Sequence, residues 1–378
     1  MTDTAPGTTL TGPAPAPADS PAPGSRAPAE EARRGRRRMP PLLAYALRRV
    51  ASSVLIIFGV TLVTFLLSSV VPADPATANL GQRALDDPEI VARYRAEQGL
   101  DRSLPVQYAS YLGNLVTGDL GTSQQTQRPV LDDLAEKLPA TLELVVVATV
   151  MAIVIGVLFG VLAAKGRGGR LDRISRTLSL TGVSLPTFWI GMVAAVLFVK
   201  NLGILPGSGR LAPALDPPDQ ITGFYTADAL LAGDLNAFAS AAAHLVLPAS
   251  VLALSVIGMV LRFTRSAVLE SLSSDFVKAG RAKGLGGRGV LWGYAVRSAS
   301  GQLITATTLS FSLLLAATVY IEQQFSWNGI GQYAFRSSTN LDLPAVMGVS
   351  ILIALVFVVV NLVADLLYAA FDPRIRLS

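Results

Sequence analysis

The sequence predicts an all-α polytopic membrane protein with six transmembrane helices and both termini in the cytoplasm. Three observations carry that prediction. Hydrophobic residues make up 51% of the chain and charged ones only 15%. The apolar residues fall in six runs, each near the ~20 residues a helix needs to cross a bilayer. Basic residues gather in alternate connections between those runs, and that asymmetry sets orientation.

Residues 1–38 are rich in Pro, Ala, Gly, Thr and Ser and carry no apolar periodicity. Such a composition cannot offset its own ordering entropy, so this stretch is expected to be a disordered cytoplasmic tail. It ends in Arg33, Arg34, Arg36, Arg37 and Arg38, with Arg48 and Arg49 close behind. These cations read as a topology determinant at the lipid headgroups rather than a nucleic-acid patch. The first apolar run, 50–71, starts too late and runs too long for a cleaved signal peptide, so 39–72 is expected to be an anchor helix. The other runs lie at 141–163, 178–199, 243–263, 303–321 and 345–368. Residues 73–140 then form an extracytoplasmic loop region. Residues 141–378 form a five-helix core containing a cytoplasmic loop at 262–301.

Charge places each connection. Lys165, Arg167, Arg170, Arg173 and Arg176 face Asp172 alone at 164–177. Arg262, Arg265, Lys278, Arg281, Lys283, Arg288 and Arg297 crowd 262–301. By contrast, 200–242 sets Lys200 and Arg210 against four aspartates, and 72–140 holds six basic residues against ten acidic ones. The net charge of +5 is therefore topological, and no nucleic-acid partner is expected. Within the long outer connection, Asp101-Arg-Ser-Leu-Pro105 marks a helix start. Val106, Tyr108, Tyr111, Leu112 and Leu115 give that helix an apolar stripe, suited to lying on the outer membrane surface or capping the bundle.

Several chemistries are excluded. The chain has no cysteine, hence no disulfide or thiolate metal site. It contains no G-x-x-x-x-G-K-[ST], no H-E-x-x-H and no G-x-S-x-G, and Gly284, Gly286 and Gly289 form a G-x-G-x-x-G with no strand before it. The single histidine, His244, reads as an interfacial hydrogen-bonding residue. No catalytic set and no cofactor site is expected. Gly156-Val-Leu-Phe-Gly160 permits close helix approach without proving dimerisation. Pro186 and Pro248 lie within the third and fourth runs and can bend them. Glu143, Glu322 and Asp365 sit near run ends, where a carboxylate costs less than at mid-bilayer, and each should face the bundle or water.

The most informative stretch is Ser273-Ser-Asp-Phe-Val-Lys-Ala-Gly-Arg-Ala-Lys-Gly284-Leu285. Ser274 or Asp275 can cap a helix start and Gly284 can end it, giving about nine residues or ~13 Å of helix. Phe276, Ala279 and the Arg281, Ala282, Lys283 triplet offer a compact, partly basic surface. A short capped helix on a cytoplasmic loop is a docking knob for a partner chain.

This stretch resembles the cytoplasmic loop of ABC-importer membrane subunits named for its Glu-Ala-Ala run with a Gly four residues on. Those positions fall here on Lys278, Ala279, Gly280 and Gly284, so the Glu and the second Ala are replaced and the Ile-x-Leu-Pro tail is absent. Phe276-Val-Lys-Ala-Gly-Arg-Ala-Lys-Gly-Leu285 is similar to the variant in dipeptide/oligopeptide/nickel permeases. So are Leu100-Asp-Arg-Ser-Leu-Pro-Val-Gln-Tyr108, Gly118-Asp-Leu-Gly-Thr-Ser123, Ser184-Leu-Pro-Thr-Phe-Trp189, His244-Leu-Val-Leu-Pro-Ala249, the Glu322 to Gly331 segment, Asp342-Leu-Pro-Ala-Val-Met347 and Asp372-Pro-Arg-Ile-Arg376. They run in order across 42–378 and fit the first of the two membrane subunits in such importers.

The resemblance implies a type I ABC-importer permease fold in the cytoplasmic (inner) membrane of a prokaryote. It implies three kinds of partner chain: a second related permease, two ATP-binding subunits, and an extracytoplasmic solute-binding protein. ATP and Mg would be held by the ATP-binding subunits and not by this chain. The coupling element would comprise Asp275, Phe276, Lys278, Ala279, Gly280, Arg281, Ala282, Lys283 and Gly284. Thr307, Thr308, Ser310 and Ser312, with Glu322, are candidates for the translocation pathway, and packing between helices is the other reading of the hydroxyls. Peptides are the expected solute; nickel or another solute of the same importers is the alternative. An ion-coupled secondary transporter is the rival of another class, and it would need inverted repeats and helices broken at mid-membrane.

Overall fold

The computed structural model describes residues 41–70, 87–97, 99, 101–170, 172–174, 177 and 185–371. The 1–38 tail with its arginines, the start of the third apolar run and the closing 372–376 motif lie outside these residues. We number the helices α1 (Pro41–Val70), α2 (Pro88–Glu97), α3 (Leu104–Val116), α4 (Val130–Lys165), α5 (Thr187–Ala194), α6 (Tyr225–Leu231), α7 (Leu235–Ser273), α8 (Asp275–Ala282), α9 (Ser300–Phe325), α10 (Ile330–Thr339) and α11 (Leu343–Phe371). Among the described residues two wider π-helical segments occur, Ala195–Asn201 continuing α5 and Gly289–Val296 leading into α9.

Among the described residues, five helices are long and apolar enough to cross a membrane: α1, α4, α7, α9 and α11. The third run expected from sequence corresponds to a shorter apolar helix, Thr187–Asn201. Pro186 does not kink it. Pro186 stands at the N-cap position of α5, where its fixed φ suits a helix start.

α4 and α7 are 36 and 39 residues long, roughly 54 and 58 Å at ~1.5 Å per residue. A hydrocarbon core of about 30 Å cannot contain them. Apolar runs marked only their middle portions, and both helices project past the bilayer at their ends. α4 therefore begins at Val130 and takes in residues that sequence assigned to the outer loop.

The long helices alternate between two ends of the molecule. Arg49 near the start of α1 pairs with Asp365 near the end of α11 at 2.7 Å, so those termini meet. The same end receives the C-termini of α4 and α7, with α8 and the π segment before α9. This is the end that carries the basic loops. At the other end Val130 and Leu134 of α4 pack on Ile330 and Tyr333 of α10 and on Ala345 and Val349 of α11.

α4 and α7 form the central pair. Lipid tails are as apolar as leucine, so close packing rather than exclusion from water must hold such helices together. Small residues make this possible: Ala148 and Ala152 of α4 and Ala249 and Ala253 of α7 share one buried core with Leu144, Leu252 and Leu314. The Gly156–Gly160 pair joins α4 to α7 of the same chain. A Cβ on Gly156 would lie 2.7 Å from Val260 Cγ1, and one on Gly160 would lie 2.6 Å from Thr264 Cβ. Outward, Val146, Val150 and Val154 of α4 and Phe188, Trp189 and Met192 of α5 stay exposed, as a lipid-facing surface requires.

The expected outer helix is α3. Ser103 is its N-cap residue and Pro105 lies in its first turn, but the Ser103 side chain makes no capping bond. α3 settles against α1 rather than standing apart: the Tyr108 hydroxyl is 3.0 Å from Thr61 Oγ1, and its ring packs on Phe58 and Phe65.

Candidate functional site

At the basic end, α7 stops because Ser274 takes an extended backbone, φ −71° and ψ 155°. α8 follows at once. Ser274 occupies its N-cap position, yet the hydroxyl turns back to donate to Ser271 O at 2.5 Å, so the expected side-chain cap is not made. Asp275 is in the first turn, where a carboxylate opposes the positive helix end, and it pairs with Lys278 at 2.8 Å.

The C-terminus of α8 is closed as the sequence predicts. Gly284 has φ +81°, a left-handed conformation that costs glycine little. Gly284 N–H donates to Arg281 O at 2.9 Å and Leu285 N–H donates to Gly280 O at 3.3 Å. These are the two bonds of a Schellman motif, and they satisfy carbonyls that the helix end would otherwise leave free. Leu285 Cδ1 also sits over Gly280, the apolar contact that accompanies this cap.

Only Val277 and Gly280 of α8 are buried. Asp275, Phe276, Lys278, Ala279, Arg281, Ala282, Lys283 and Gly284 are all exposed. The helix is thus anchored along one edge, with a large apolar ring, a small residue and three cations displayed outward. Beneath it, Val161 and Ala164 of α4 pack with Ala267 and Val268 of α7, Leu291 and Ala295 of the π segment, and Ala299. The loop after α4 is clamped to α7: fully buried Asp172 accepts from Arg265 Nε at 2.5 Å and Nη2 at 3.2 Å, and from Gly168 N–H at 3.0 Å. A push on α8 therefore acts on a contiguous packed unit that includes the ends of both central helices.

The other candidates do not gather into a site. Thr307, Thr308, Ser310 and Ser312 each donate to the carbonyl four residues back in α9, at 2.7–3.0 Å. Ser310 is fully buried and the other three are half-buried, which fits packing between helices. Glu322 faces the bundle, one of the two surroundings expected of it. It is fully buried, accepting from Thr141 Oγ1 at 2.6 Å and from Gln332 N–H at 2.9 Å, and so faces no aqueous surface of this chain.

Sequence reasoning missed a polar assembly at the opposite end. Arg210 donates to Glu143 Oε2 at 2.7 Å and to Gly223 O at 2.9 Å. Glu143 Oε1 accepts from the backbone and hydroxyl of Thr226 at 2.9 and 2.6 Å. Nearby, burial alone would raise the Asp228 carboxyl, but hydrogen bonds from Thr222 and Gly223 hold it below its ordinary value. Trp327 donates to Ala140 O at 2.9 Å, and Asp342 accepts from Ser123 at 2.6 Å. The available signal was Arg210 itself, one of two cations in an otherwise acidic outer connection. His244, buried in α7, places Nδ1 2.8 Å from Ser240 O.

The fold is thus that of a multi-pass helical membrane protein with a short, exposed helix displayed at its basic end. The chain belongs to the family of binding-protein-dependent transport system inner membrane components. The family model matches residues 156–377, and a model for the N-terminal part of such components matches 42–145. This makes the chain an ABC-importer permease component of the inner membrane. Its relatives include "Probable D,D-dipeptide transport system permease protein DdpB" of Escherichia coli K12, 45% identical over 85% of this chain and 94% of the relative. The di/tripeptide transport system permease protein DppB of Pseudomonas aeruginosa is 40% identical over 89% and 99%. The dipeptide transport system permease protein DppB of Alkalihalophilus pseudofirmus is 36% identical over 89% and 100%. The MetNI methionine ABC transporter in an inward-facing crystal form aligns with a TM-score of 0.47 and 17% identity, over 63% of this chain and 96% of that one.

Proposed function

We propose that this chain is the permease for short peptides in an ATP-driven importer, and that Asp275 to Gly284 couples it to separate ATP-binding subunits. The observation that carries the reading is α8: an exposed helix closed by Gly284 and seated on the ends of α4 and α7. The peptide assignment is supported by relatives named for dipeptide and di/tripeptide transport.

In this reading the basic end is cytoplasmic, both termini included, because cations in short loops are retained inside. The two ATP-binding subunits hold ATP and Mg and engage α8. A second, related permease completes the pathway, and a solute-binding protein delivers peptide to the opposite end. Solute then passes between the two permeases.

The test is purification of the chain with its neighbours in detergent. Co-purification of two ATP-binding subunits and a second permease, with ATP hydrolysis stimulated by binding protein and dipeptide, is the expected result. Stimulation by a nickel chelate and not by dipeptides would replace the solute. Uptake by this polypeptide alone, driven by an ion gradient, would overturn the reading.

A further inference from the structure

The connection that follows α4 turns back along the helix it has just left. Gly160 of α4 lies against Thr264 of α7, and α4 runs on only to Lys165. Asp172, well past that end, nevertheless reaches Arg265, the neighbour of Thr264. Glycines make the reversal: Gly168 has φ +81°, and Gly169 N–H donates to Gly166 O at 2.8 Å. Asp172 is the one acid among Lys165, Arg167, Arg170, Arg173 and Arg176. Yet both its oxygens accept from a cation of another helix, Oδ1 from Arg265 Nε at 2.5 Å and Oδ2 from Nη2 at 3.2 Å. The carboxylate is fully buried and the Arg265 side chain is only 20% exposed.

Exchanging a buried ion pair for apolar side chains is often neutral or stabilising, so stability alone gives little reason for one here. What this pair supplies is direction. A guanidinium fork on a carboxylate fixes angle as well as distance. Apolar packing is non-directional and lets surfaces slide. Rotation of α7, and not only its translation, is therefore passed to the connection. Arg265 stands just before Ala267 and Val268, which belong to the apolar unit under α8. In the other direction the chain beyond Asp172 leads to α5. There Ile190 and Ala194 pack on the central core, and a Cβ on Gly191 would fall 2.5 Å from Gln324 Oε1 of α9.

We propose that Asp172 and Arg265 are positioning residues for coupling. Movement of α8 acts on the end of α7, and the clamp carries it into the connection between α4 and α5. α5 then moves with the central pair instead of lagging behind it. Neither residue belongs to α8, and Asp172 is buried within this chain, so it acts through Arg265 and not by touching solute or ATP. This role rests on the coupling proposed for α8 and adds a second route from it.

The assembled complex of this chain with its second permease and ATP-binding subunits, supplied with binding protein and dipeptide, tests the role. Arg265→Lys keeps the positive charge but loses the fork. Asp172→Asn/Arg265→Gln removes both charges and leaves neither buried without its partner. Both variants should insert, hold the ATP-binding subunits at wild-type levels and hydrolyse ATP. Peptide taken up per ATP hydrolysed should fall by about 2- to 30-fold in each. A merely structural pair would lower recovery and melting temperature but leave uptake per ATP at the wild-type value in the complexes recovered, and that result overturns the role. Loss of the ATP-binding subunits from both variants overturns it too, because the pair would then hold the seat of α8 rather than transmit from it. If the double variant does not fold, Arg265→Lys alone decides between these outcomes. A wild-type chain that recovers no ATP-binding subunits would refute coupling itself, and this role with it. Coupled variants beside a coupled wild type refute the role alone.

Discussion

Arg210 holds its guanidinium 2.7 Å from the Glu143 carboxylate and 3.7 Å from the centre of the Tyr225 ring, with both ionic side chains nearly buried. Residues 67 apart in sequence are thereby joined, and the outer connection between α5 and α6 is pinned onto α4. A buried charge that loses its partner costs far more than a surface pair gains. Arg210→Gln should destabilise the protein by about 3–5 kcal/mol, because Glu143 would keep only its bonds from Thr226. The double variant Glu143→Gln/Arg210→Gln removes both charges and should melt above the single variant. Thermal unfolding in detergent reads the difference, and a double variant less stable than Arg210→Gln would contradict the pairing.

The contact between α4 and α7 has little tolerance at Gly160, where an added Cβ would sit 2.6 Å from Thr264 Cβ and 2.9 Å from Leu261 O. Backbone cannot yield as a flexible side chain can. Gly160→Ala should cost about 1–3 kcal/mol, as overpacked cores do. Gly59 in α1 has nothing within 4 Å of such a Cβ. Gly59→Ala should be neutral, or stabilising by about 0.5–1 kcal/mol through helix propensity. Equal melting temperatures for the two alanine variants would mean that the central helices are not in intimate contact.

How much of this was legible in sequence depended on whether a feature is local. Five of the apolar runs and the Gly284 terminus are encoded within a few residues of themselves, and these are found where expected. The first turns of α4 were not legible. Asp132, Asp133, Glu136, Lys137 and Pro139 look like loop, yet Asp133 is fully buried because Thr126 and Tyr333 donate to it at 2.5 and 3.1 Å. Tyr333 lies 200 residues away, and no local pattern announces it. The partner of Glu322 was hidden for the same reason, since Thr141 comes from another helix 181 residues distant. Pro186 was ambiguous in kind: proline suits the first turn of a helix as readily as a kink.

Asp228 makes the outer connection sensitive to acid. Its carboxyl is buried, which raises it, but the bonds from Thr222 and Gly223 outweigh burial and lower it from the ordinary value of 3.8. A carboxyl lowered by folding contributes stability above its unfolded value and loses it as pH falls through the folded one. The contribution is therefore complete at neutral pH and fades only below about pH 3.8. Asp228→Asn should destabilise at pH 7 by about 1–3 kcal/mol, the cost of leaving buried donors poorly paired. The gap between wild type and variant should narrow as pH drops below 4, as followed by unfolding at graded pH. A gap that widened on acidification would mean that the carboxyl is held protonated.

Coupling gives the sharpest separation between readings. Gly284 N–H and Leu285 N–H close α8 only while residue 284 is left-handed, and a β-branched side chain strongly resists that conformation. Gly284→Val should therefore fray the last turn of α8. It should do so without crowding neighbours, since no atom lies within 4 Å of an added Cβ. Ala279→Glu acts differently, leaving the helix intact while placing a large charged group on its exposed face. Neither residue belongs to a membrane-crossing helix. Both variants should insert, fold and pair with a second permease at wild-type levels. Both should lose the ATP-binding subunits, or retain them with hydrolysis no longer stimulated by solute. Peptide uptake should fall at least tenfold in each, measured beside the amount of ATP-binding subunit recovered with the chain. Wild-type uptake with those subunits still bound would falsify the assignment of α8 as the coupling element. Equal loss of membrane insertion would show instead that α8 serves folding.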